Sequence, residues 1–348
     1  MKKNIFFLID DITNFGGTER VTCTLSNYFS KLDFNVTIYS LKNTKGNPQF
    51  HLENKVKVIS YPRGNWFNII SLFKLSKSTK TPIIVISMGK LSVKSAICSI
   101  FHRPFKLIFS EHIAYESFSF FKKLIKRLSY LVADKIILLT DNDRKILSQA
   151  ENNKFVTINN INPYFNEAQH INPYHNRKNI AVAIGRLSYQ KNFGRLIDLW
   201  KKANIDDWVL YIIGDGDEKN TLNSLIGNNK NIKLIPANNN LIDYYQNAKL
   251  SIMTSRFEGL PMTLIESQYF GIPSISFNCK TGPREIIIDN KTGYIIDYNR
   301  DDHFIEKLKF ITMYDNQHIL ENMHKQCLEH SRRYNPNFIL QKWLDIIK

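Results

Sequence analysis

Residues 249–267 read KLSIMTSRFEGLPMTLIES, and they predict a strand, a turn and a helix in succession. The first six residues are mostly apolar, as in a buried strand, and Gly259 and Pro261 then predict a turn and a helix that begins near Leu260. The start of such a helix lies at the carboxyl edge of a parallel sheet, where α/β proteins bind phosphates. Two carboxylates, Glu258 and Glu266, flank this anion site. Since carboxylates are poor phosphate ligands, we expect them to accept hydrogen bonds from sugar hydroxyls, which suggests a nucleotide sugar.

Strand and helix patterns alternate on both sides of this stretch. The fold class predicted from them is α/β, with two successive doubly wound parallel sheets. The predicted strands are 4–9, 36–39, 56–60, 83–86, 107–109 and 135–139 in the first half, and 179–184, 208–213, 232–235, 249–254, 274–277 and 294–296 in the second. We predict a first domain over residues 1–165, a polar linker over 166–178, a second domain over 179–330, and a terminal helix over 331–348 that packs back on the first domain.

The composition is that of a soluble globular protein, with 43% hydrophobic and 22% charged residues in a chain of 348. No apolar run approaches the roughly 20 residues that span a bilayer, and the first residues are too short a run for a signal peptide. We therefore expect a cytoplasmic protein. Its four cysteines are scattered without a CxxC pair, which predicts reduced thiols and no zinc site.

The net charge of +16 is concentrated in the first half of the chain, where residues 1–165 hold 24 Lys and Arg against 11 Asp and Glu. Such a field favours nucleic acid, an anionic membrane or a polyanionic substrate. Residues 118–131, FSFFKKLIKRLSYL, and residues 66–80 combine apolar side chains with cations. Segment 118–131 predicts either a basic amphipathic helix that docks on an anionic bilayer or a helix with its apolar face in the core and its cations in solvent. Two such segments in the basic half favour the membrane.

Two loops of the first half contain candidate functional residues. Gly16 and Gly17 follow the first strand, where the backbone can approach a ligand closely, although paired glycines also form ordinary turns. The loop lacks GxGxxG spacing, which argues against a dehydrogenase. His112 ends another strand and can reach a reacting sugar there, or can be a hydrogen-bonded structural histidine.

The first two strands of the second half are followed by cations and glycines. Arg186 and Lys191 stand at the same predicted sheet edge as the opening stretch and can hold a diphosphate, with solvated loop cations as the alternative. Gly214 and Gly216 follow the next strand, where a base or ribose can lie against the backbone.

Six motifs occur together along the chain: GGTER (16–20), SEH (110–112), GRL (185–187) with Lys191, GDG (214–216), EGLP (258–261) with Glu266, and GPREI (282–286) with Gly293. In this combination the chain resembles the retaining GT-B glycosyltransferases of family 4, and in particular bacterial hexosyl- and N-acetylhexosaminyltransferases of surface-glycan assembly. The resemblance implies a GT-B fold, in which two Rossmann-like domains face each other across a cleft. It also implies that the first domain binds the acceptor and the second the donor.

The resemblance also implies roles for residues of the second domain. Arg186 and Lys191 would hold the donor diphosphate, Glu266 would bond the ribose, and Glu258 would bind hydroxyls of the transferred sugar. The other residues implied in the donor site are Gly214, Gly216, Gly259, Leu260 and Pro261.

In the first domain, the resemblance implies that Gly17 approaches the phosphates and that His112 faces the sugar near the point of transfer. No metal is expected, because cationic side chains and a helix dipole stabilise the leaving diphosphate. The family's retention of configuration is thought to proceed on one face of the sugar, so no carboxylate is assigned as a nucleophile.

The expected function is transfer of a hexose or N-acetylhexosamine from a UDP-linked donor, with retention, to a lipid-linked or surface polysaccharide acceptor of the capsule, O-antigen or lipopolysaccharide type. The expected location is the cytoplasmic face of the inner membrane, with peripheral attachment to its anionic surface. One alternative is a soluble transferase acting on a small molecule. The other is a basic nucleic-acid-binding protein, suggested by the pI of about 9.5, but no RNA-binding motif supports nucleic acid as a partner.

Overall fold

The computed structural model describes residues 3–62, 64–148, 153–165, 170–237 and 240–348, and the chain forms two compact units. Unit 1 consists of Met1–Pro163 and Pro336–Lys348, and unit 2 consists of Tyr164–Asn335. Residues 166–169 of the predicted linker lie outside the described residues, and residues 170–178 belong to unit 2.

Unit 1 contains a parallel seven-stranded sheet, and a helix follows most of its strands. The strands are β1 (Asn4–Ile9), β2 (Asn35–Ser40), β3 (Lys57–Ser60), β4 (Pro82–Ser87), β5 (Lys106–Glu111), β6 (Lys135–Leu138) and β7 (Phe155–Thr157). The helices are α1 (Gly17–Lys31), α2 (Trp66–Thr79), α3 (Lys90–Phe101), α4 (Phe120–Tyr130) and α5 (Asp141–Leu147). The spatial order is β3-β2-β1-β4-β5-β6-β7, so the direction of winding reverses between β1 and β4. Strand β7 was not predicted, because three residues are too few to establish a pattern.

Both faces of this sheet are buried, which explains the continuous apolar runs of its central strands. On one face, Phe6 and Leu8 belong to a core cluster that includes Phe73 of α2. On the other face, Phe7 lies against Phe29 of α1, with 6.1 Å between ring centroids. Strand residues alternate between the faces because successive side chains point in opposite directions.

Unit 2 contains a parallel six-stranded sheet of the same type. Its strands are β8 (Ile180–Ile184), β9 (Val209–Ile213), β10 (Ile232–Ile235), β11 (Leu250–Met253), β12 (Ser274–Asn278) and β13 (Gly293–Asp297). Its helices are α6 (Phe193–Ala203), α7 (Lys219–Ile226), α8 (Ile242–Asn247), α9 (Met262–Tyr269), α10 (Pro283–Ile286), α11 (Asp301–Thr312) and α12 (Gln317–Ser331). The order β10-β9-β8-β11-β12-β13 places the reversal of winding between β8 and β11. The predicted α/β class with two doubly wound parallel sheets is confirmed.

The helix after the opening stretch starts later than predicted. Helix α9 begins at Met262 rather than near Leu260, because Pro261 keeps an extended backbone (φ −68°, ψ 111°) and occupies the capping position. The turn therefore includes Leu260 and Pro261, and Glu266 lies in the second turn of the helix.

The chain ends in helix α13 (Pro336–Ile347), which is part of unit 1. It begins five residues after the predicted start at 331, because residues 332–334 form a separate short 3-10 helix. The apolar side of this helix, which includes Ile339, Leu340 and Trp343, is buried in unit 1. The prediction that the helix packs back on the first domain is confirmed. Within the part of the chain that is described, no helix combines the length and the apolar composition needed to cross a bilayer.

Candidate active site

The reversal of winding in unit 2 brings two loops together at the carboxyl edge of its sheet. One loop, residues 185–192, follows β8, and the other, residues 254–261, follows the neighbouring strand β11. The backbone N–H of Arg256 donates to the carbonyl of Gln190 at 2.8 Å, and the hydroxyl of Thr254 donates to the carbonyl of Lys191 at 3.2 Å. Ligands of open α/β sheets bind at such a reversal point, so these loops form the candidate site.

An ion pair between Lys191 and Glu258 joins the two loops. The distance from Lys191 Nζ to Glu258 Oε1 is 2.6 Å, and the side chains are 17% and 8% exposed. Partial burial strengthens the attraction relative to a surface pair, because less water screens the charges. The structure therefore unites a predicted phosphate ligand with a predicted sugar ligand, a contact that the sequence did not indicate.

A third loop, residues 279–282 after β12, supports Glu258 from the other side. The hydroxyl of Thr281 donates to the carbonyl of Glu258 at 2.6 Å. Gly282 has φ +98°, and a Cβ there would lie 2.6 Å from the carbonyl oxygen of Gly259. Burial, with a further contribution from the nearby Glu258 carboxylate, raises the pKa of Cys279 to about 12, so its thiol is not ionised at neutral pH. The GPREI motif marked this loop, but its contact with Glu258 was missed.

Arg186 differs from Lys191 in its environment. Its side chain is exposed, as expected for a loop cation, whereas that of Lys191 is half-buried. In the same region the guanidinium of Arg256 lies 4.1 Å from the centroid of the Tyr189 ring. The described residues contain no group of three or more His, Cys, Asp or Glu placed to hold a metal ion.

Gly214 and Gly216 are needed for packing between loops of unit 2. A Cβ on Gly214 would lie 1.9 Å from the carbonyl oxygen of Gly185. Gly216 has φ +154°, and a Cβ there would lie 2.4 Å from the carbonyl oxygen of Leu187. Packing within the protein is therefore enough to require glycine at both positions. Their contact with a base or ribose stays a prediction.

Glu266 is completely buried behind the loops. The hydroxyl of Tyr245 donates to Glu266 Oε2 at 2.6 Å, and the Tyr245 ring stacks on Phe270 with centroids 5.1 Å apart. Sequence reasoning missed Tyr245, because no pattern relates α8 to a carboxylate 21 residues away. The ribose contact predicted for Glu266 stays a prediction, and it requires the carboxylate to be uncovered.

In unit 1, His112 directly follows β5 and is buried. Burial lowers its pKa to about 4, so the imidazole is neutral at pH 7. Its Nε2 lies 3.0 Å from the hydroxyl oxygen of Ser110, and its backbone N–H donates to the carbonyl of Ser87 at 2.8 Å. An adjacent cavity of about 10 Å³, lined in part by Leu25 and Trp343, is much smaller than a hexose.

A second buried ion pair lies beside His112. Lys126 Nζ of α4 is 2.5 Å from Glu111 Oε1, and both side chains are 2% exposed. Lys126 also donates to the hydroxyl oxygen of Ser92 at 2.5 Å. The prediction that Lys126 belongs to an exposed cationic face is wrong, because its ammonium lies inside unit 1 and neutralises a buried carboxylate.

Gly17 is the first residue of α1, at the carboxyl end of β1. A Cβ there would meet no atom within 4 Å, in contrast to Gly214. Neither packing nor a left-handed backbone thus requires glycine at this position. Its predicted approach to the donor phosphates stays a prediction.

Comparison with known proteins defines the class to which this site belongs. Residues 165–329 match the family described as Glycosyl transferases group 1. The chain is 36% identical over 354 residues to the amylovoran biosynthesis glycosyltransferase AmsD of Erwinia amylovora, with 99% of each chain covered. The protein therefore belongs to the group 1 glycosyltransferases.

Two further similarities agree with this assignment. The chain is 25% identical over 371 residues to the GalNAc-alpha-(1->4)-GalNAc-alpha-(1->3)-diNAcBac-PP-undecaprenol alpha-1,4-N-acetyl-D-galactosaminyltransferase of Campylobacter jejuni, covering 99% of this chain and 98% of that protein. It also resembles a mutant of S. aureus TarM solved with fondaparinux, alpha-GlcNAc-glycerol and UDP, with a TM-score of 0.82, 17% identity, and coverage of 99% and 100%. The predicted GT-B fold class is confirmed.

Proposed function

We propose that this glycosyltransferase moves a hexose or N-acetylhexosamine from a UDP-linked donor to a lipid-linked or surface polysaccharide acceptor, with retention of the anomeric configuration. The observation that carries the proposal is the Lys191–Glu258 ion pair at the reversal point of the unit 2 sheet. The pair holds a cation suited to a diphosphate within 2.6 Å of a carboxylate suited to sugar hydroxyls. A nucleotide diphosphate sugar requires both groups close together.

The donor diphosphate is bound in this proposal by Arg186, Lys191 and the start of α9. The guanidinium forms forked hydrogen bonds to phosphate, and the ammonium acts as a point charge. Before the donor binds, the carboxylate of Glu258 compensates the charge of Lys191 and holds its ammonium in position. Gly259, Leu260 and Pro261 lead the backbone to the amino end of α9, whose dipole favours the phosphates.

The two glutamates have separate roles in this proposal. Glu258 accepts hydrogen bonds from hydroxyls of the transferred sugar, and Thr281 fixes the backbone from which it extends. Glu266 binds the ribose through a carboxylate that donor binding uncovers, and Gly214 and Gly216 let the base or ribose lie against their backbone.

In the transfer step, the bond between the anomeric carbon and the diphosphate oxygen breaks as the acceptor oxygen bonds to the same face of that carbon. The acceptor proton passes to the leaving diphosphate, which lies on that same face. Arg186, Lys191 and the dipole of α9 stabilise the charge that develops on the diphosphate. In unit 1, Gly17 approaches the phosphates, and neutral His112 offers the sugar a hydrogen bond without adding charge.

The names of the relatives support the proposed acceptor and donor. The Erwinia amylovora relative takes part in amylovoran biosynthesis, and the name of the Campylobacter jejuni relative specifies an undecaprenol-linked saccharide. The TarM structure contains UDP. On this basis the protein acts on glycans assembled at the cytoplasmic face of the inner membrane.

The donor proposal is tested by thermal unfolding with a panel of nucleotides and nucleotide sugars. UDP and one UDP-sugar are expected to raise Tm, because a ligand stabilises the folded state that binds it. Lys191→Met and Glu258→Gln are expected to lower kcat/KM for that sugar by about 100-fold, the effect of losing one group that stabilises the transition state. The control is Lys202→Met, which removes an exposed lysine of α6.

Two outcomes would contradict this assignment. One is full activity in both site variants, and the other is an equal loss in the Lys202→Met control. Product stereochemistry, measured by NMR on the new glycosidic bond, tests retention separately, and inversion would exclude the same-face step.

A further inference from the structure

Large apolar side chains are exposed on three neighbouring helices of unit 1. Phe67, Phe101, Phe120 and Phe121 are 71–77% exposed, whereas a folded domain normally leaves only scattered large apolar side chains in solvent. We call the surface formed by α2, α3 and α4 and the adjoining residues the α2–α4 surface. Its exposed apolar residues are Trp66, Phe67, Leu75, Met88, Ile97, Ile100, Phe101, Phe105, Phe120, Phe121, Leu124, Ile125, Leu128 and Leu131.

These residues lie on the outer side of one helix layer. Helix α3 packs against both α2 and α4, so the three helices are neighbours. Their inner sides contribute Phe73, Leu91 and Tyr130 to the core cluster that covers the sheet. The exposed apolar side chains therefore belong to a second, outward side of the same layer.

The orientation of α4 is fixed by its buried polar residues. Lys126 points inward to Glu111, and Ser129 and Tyr130 are buried on the same side. Rotating the helix to bury Leu124 and Leu128 would leave the carboxylate of Glu111 buried without its cation, which costs several kcal/mol. The alternative that α4 directs its apolar face into the core is therefore wrong.

The charged side chains of α2, α3 and α4 all have the same sign. Helices α2, α3 and α4 contain no Asp or Glu. Exposed cations lie on the same helices as the apolar side chains, and among the described residues they are Lys74, Lys77, Lys90, Lys94, Lys122 and Arg127, with Lys80 at the end of α2. Such a surface is complementary to a layer of anionic headgroups above hydrocarbon.

We propose that the α2–α4 surface docks on a bilayer that contains anionic lipid, with its apolar side chains in the interface and its cations at the lipid phosphates. This inference rests on the proposed function, which requires access to a lipid-linked acceptor. A protein partner fits less well, because lysine is depleted at protein–protein interfaces. Docking does not depend on Lys126, and it relies on apolar insertion as well as on charge.

The test is flotation of the full chain with vesicles of phosphatidylcholine alone or mixed with phosphatidylglycerol. Phe120→Ser/Phe121→Ser is expected to weaken binding to the mixed vesicles by about tenfold or more, because two large apolar groups no longer enter the interface. Lys122→Gln/Arg127→Gln is expected to remove part of the preference for anionic vesicles. The control is Tyr314→Ser/Phe338→Ser, which removes side chains that are 90% and 65% exposed outside this surface and is expected to bind as the wild type does.

Further measurements separate this proposal from the donor assignment. The rise in Tm caused by UDP is expected in every variant, because the donor loops lie in unit 2. If UDP raises the Tm of the wild-type protein but the wild-type protein does not bind the mixed vesicles, the docking proposal is overturned and the donor assignment stands. The proposal is also overturned if the Phe120→Ser/Phe121→Ser variant only converts an oligomer to a monomer in light scattering, since that surface would then be a protein interface.

Discussion

At the scale of single residues, burial distinguishes two lysine–glutamate pairs. Lys191 is 17% exposed and pairs with the buried Glu258 at the carboxyl edge of the unit 2 sheet. Lys126 and Glu111 are sealed inside unit 1, where the pair neutralises a buried charge and fixes a helix. The motif around Lys191 indicated a site, but nothing in the sequence of α4 distinguished Lys126 from its exposed neighbours.

The low pKa of His112 predicts a dependence of stability on pH. Burial lowers this pKa from 6.5 to about 4. Between these two pH values His112 is therefore protonated in the unfolded chain and neutral in the folded chain. The associated stability is complete above pH 6.5 and is lost as the pH falls from 6.5 towards 4, by on the order of 3 kcal/mol. We expect the free energy of unfolding, measured with urea, to decrease less between pH 7 and pH 5 in His112→Gln than in the wild type. Identical decreases in the two proteins would mean that His112 does not contribute.

At the scale of elements, two glycines that follow strands have different surroundings. Gly214 lies at the end of β9 against the backbone of Gly185, whereas Gly17 begins α1 with open space where a Cβ would be. Both positions were predicted to contact the donor. The geometry gives Gly214 a packing reason to be glycine and gives Gly17 none, so the approach of Gly17 to the donor phosphates stays a prediction.

A matched pair of alanine substitutions tests this difference. Gly214→Ala is expected to lower the free energy of unfolding by about 3 kcal/mol or more, because the new methyl group overlaps a carbonyl oxygen. Gly17→Ala is expected to change it by less than about 0.5 kcal/mol, but to lower kcat/KM by about tenfold if the backbone approaches the phosphates. Urea unfolding and steady-state kinetics measure the two effects. Normal activity in Gly17→Ala would remove Gly17 from the site.

At the scale of the whole molecule, the division into units does not follow the chain order. Helix α13 belongs to unit 1, although it follows all residues of unit 2 in the sequence. Trp343 of this helix is 2% exposed and lines the small cavity beside His112. The last residues of the chain thus contribute to the same unit as its first strand.

This arrangement predicts that damage to α13 affects unit 1 and spares the donor loops. Trp343→Ala is expected to destabilise unit 1 by about 3–5 kcal/mol, the usual cost of removing a buried tryptophan. The rise in Tm of unit 2 caused by UDP is expected to remain. Calorimetry with and without UDP checks both effects, with the exposed neighbour Lys342→Ala as the control. Loss of the UDP response in Trp343→Ala would show that α13 also supports the donor loops.

The two parallel sheets and the loops that form the site were predictable from local sequence patterns. Apolar runs separated by helical patterns specify buried strands, and the EGLP, GRL and GPREI motifs marked loops that the fold brings to one sheet edge. These features are local, so short stretches of chain are enough to encode them.

Which charged groups meet, and which face of α4 is inside, depend on contacts between distant parts of the chain. Lys191 pairs with Glu258 across 67 residues, Tyr245 reaches Glu266 from another helix, and Lys126 turns inward because Glu111 is there. Periodicity defines the two sides of a helix but does not say which side is buried when a carboxylate inside the core needs a cation. The outward apolar side of α4 follows from that single buried charge.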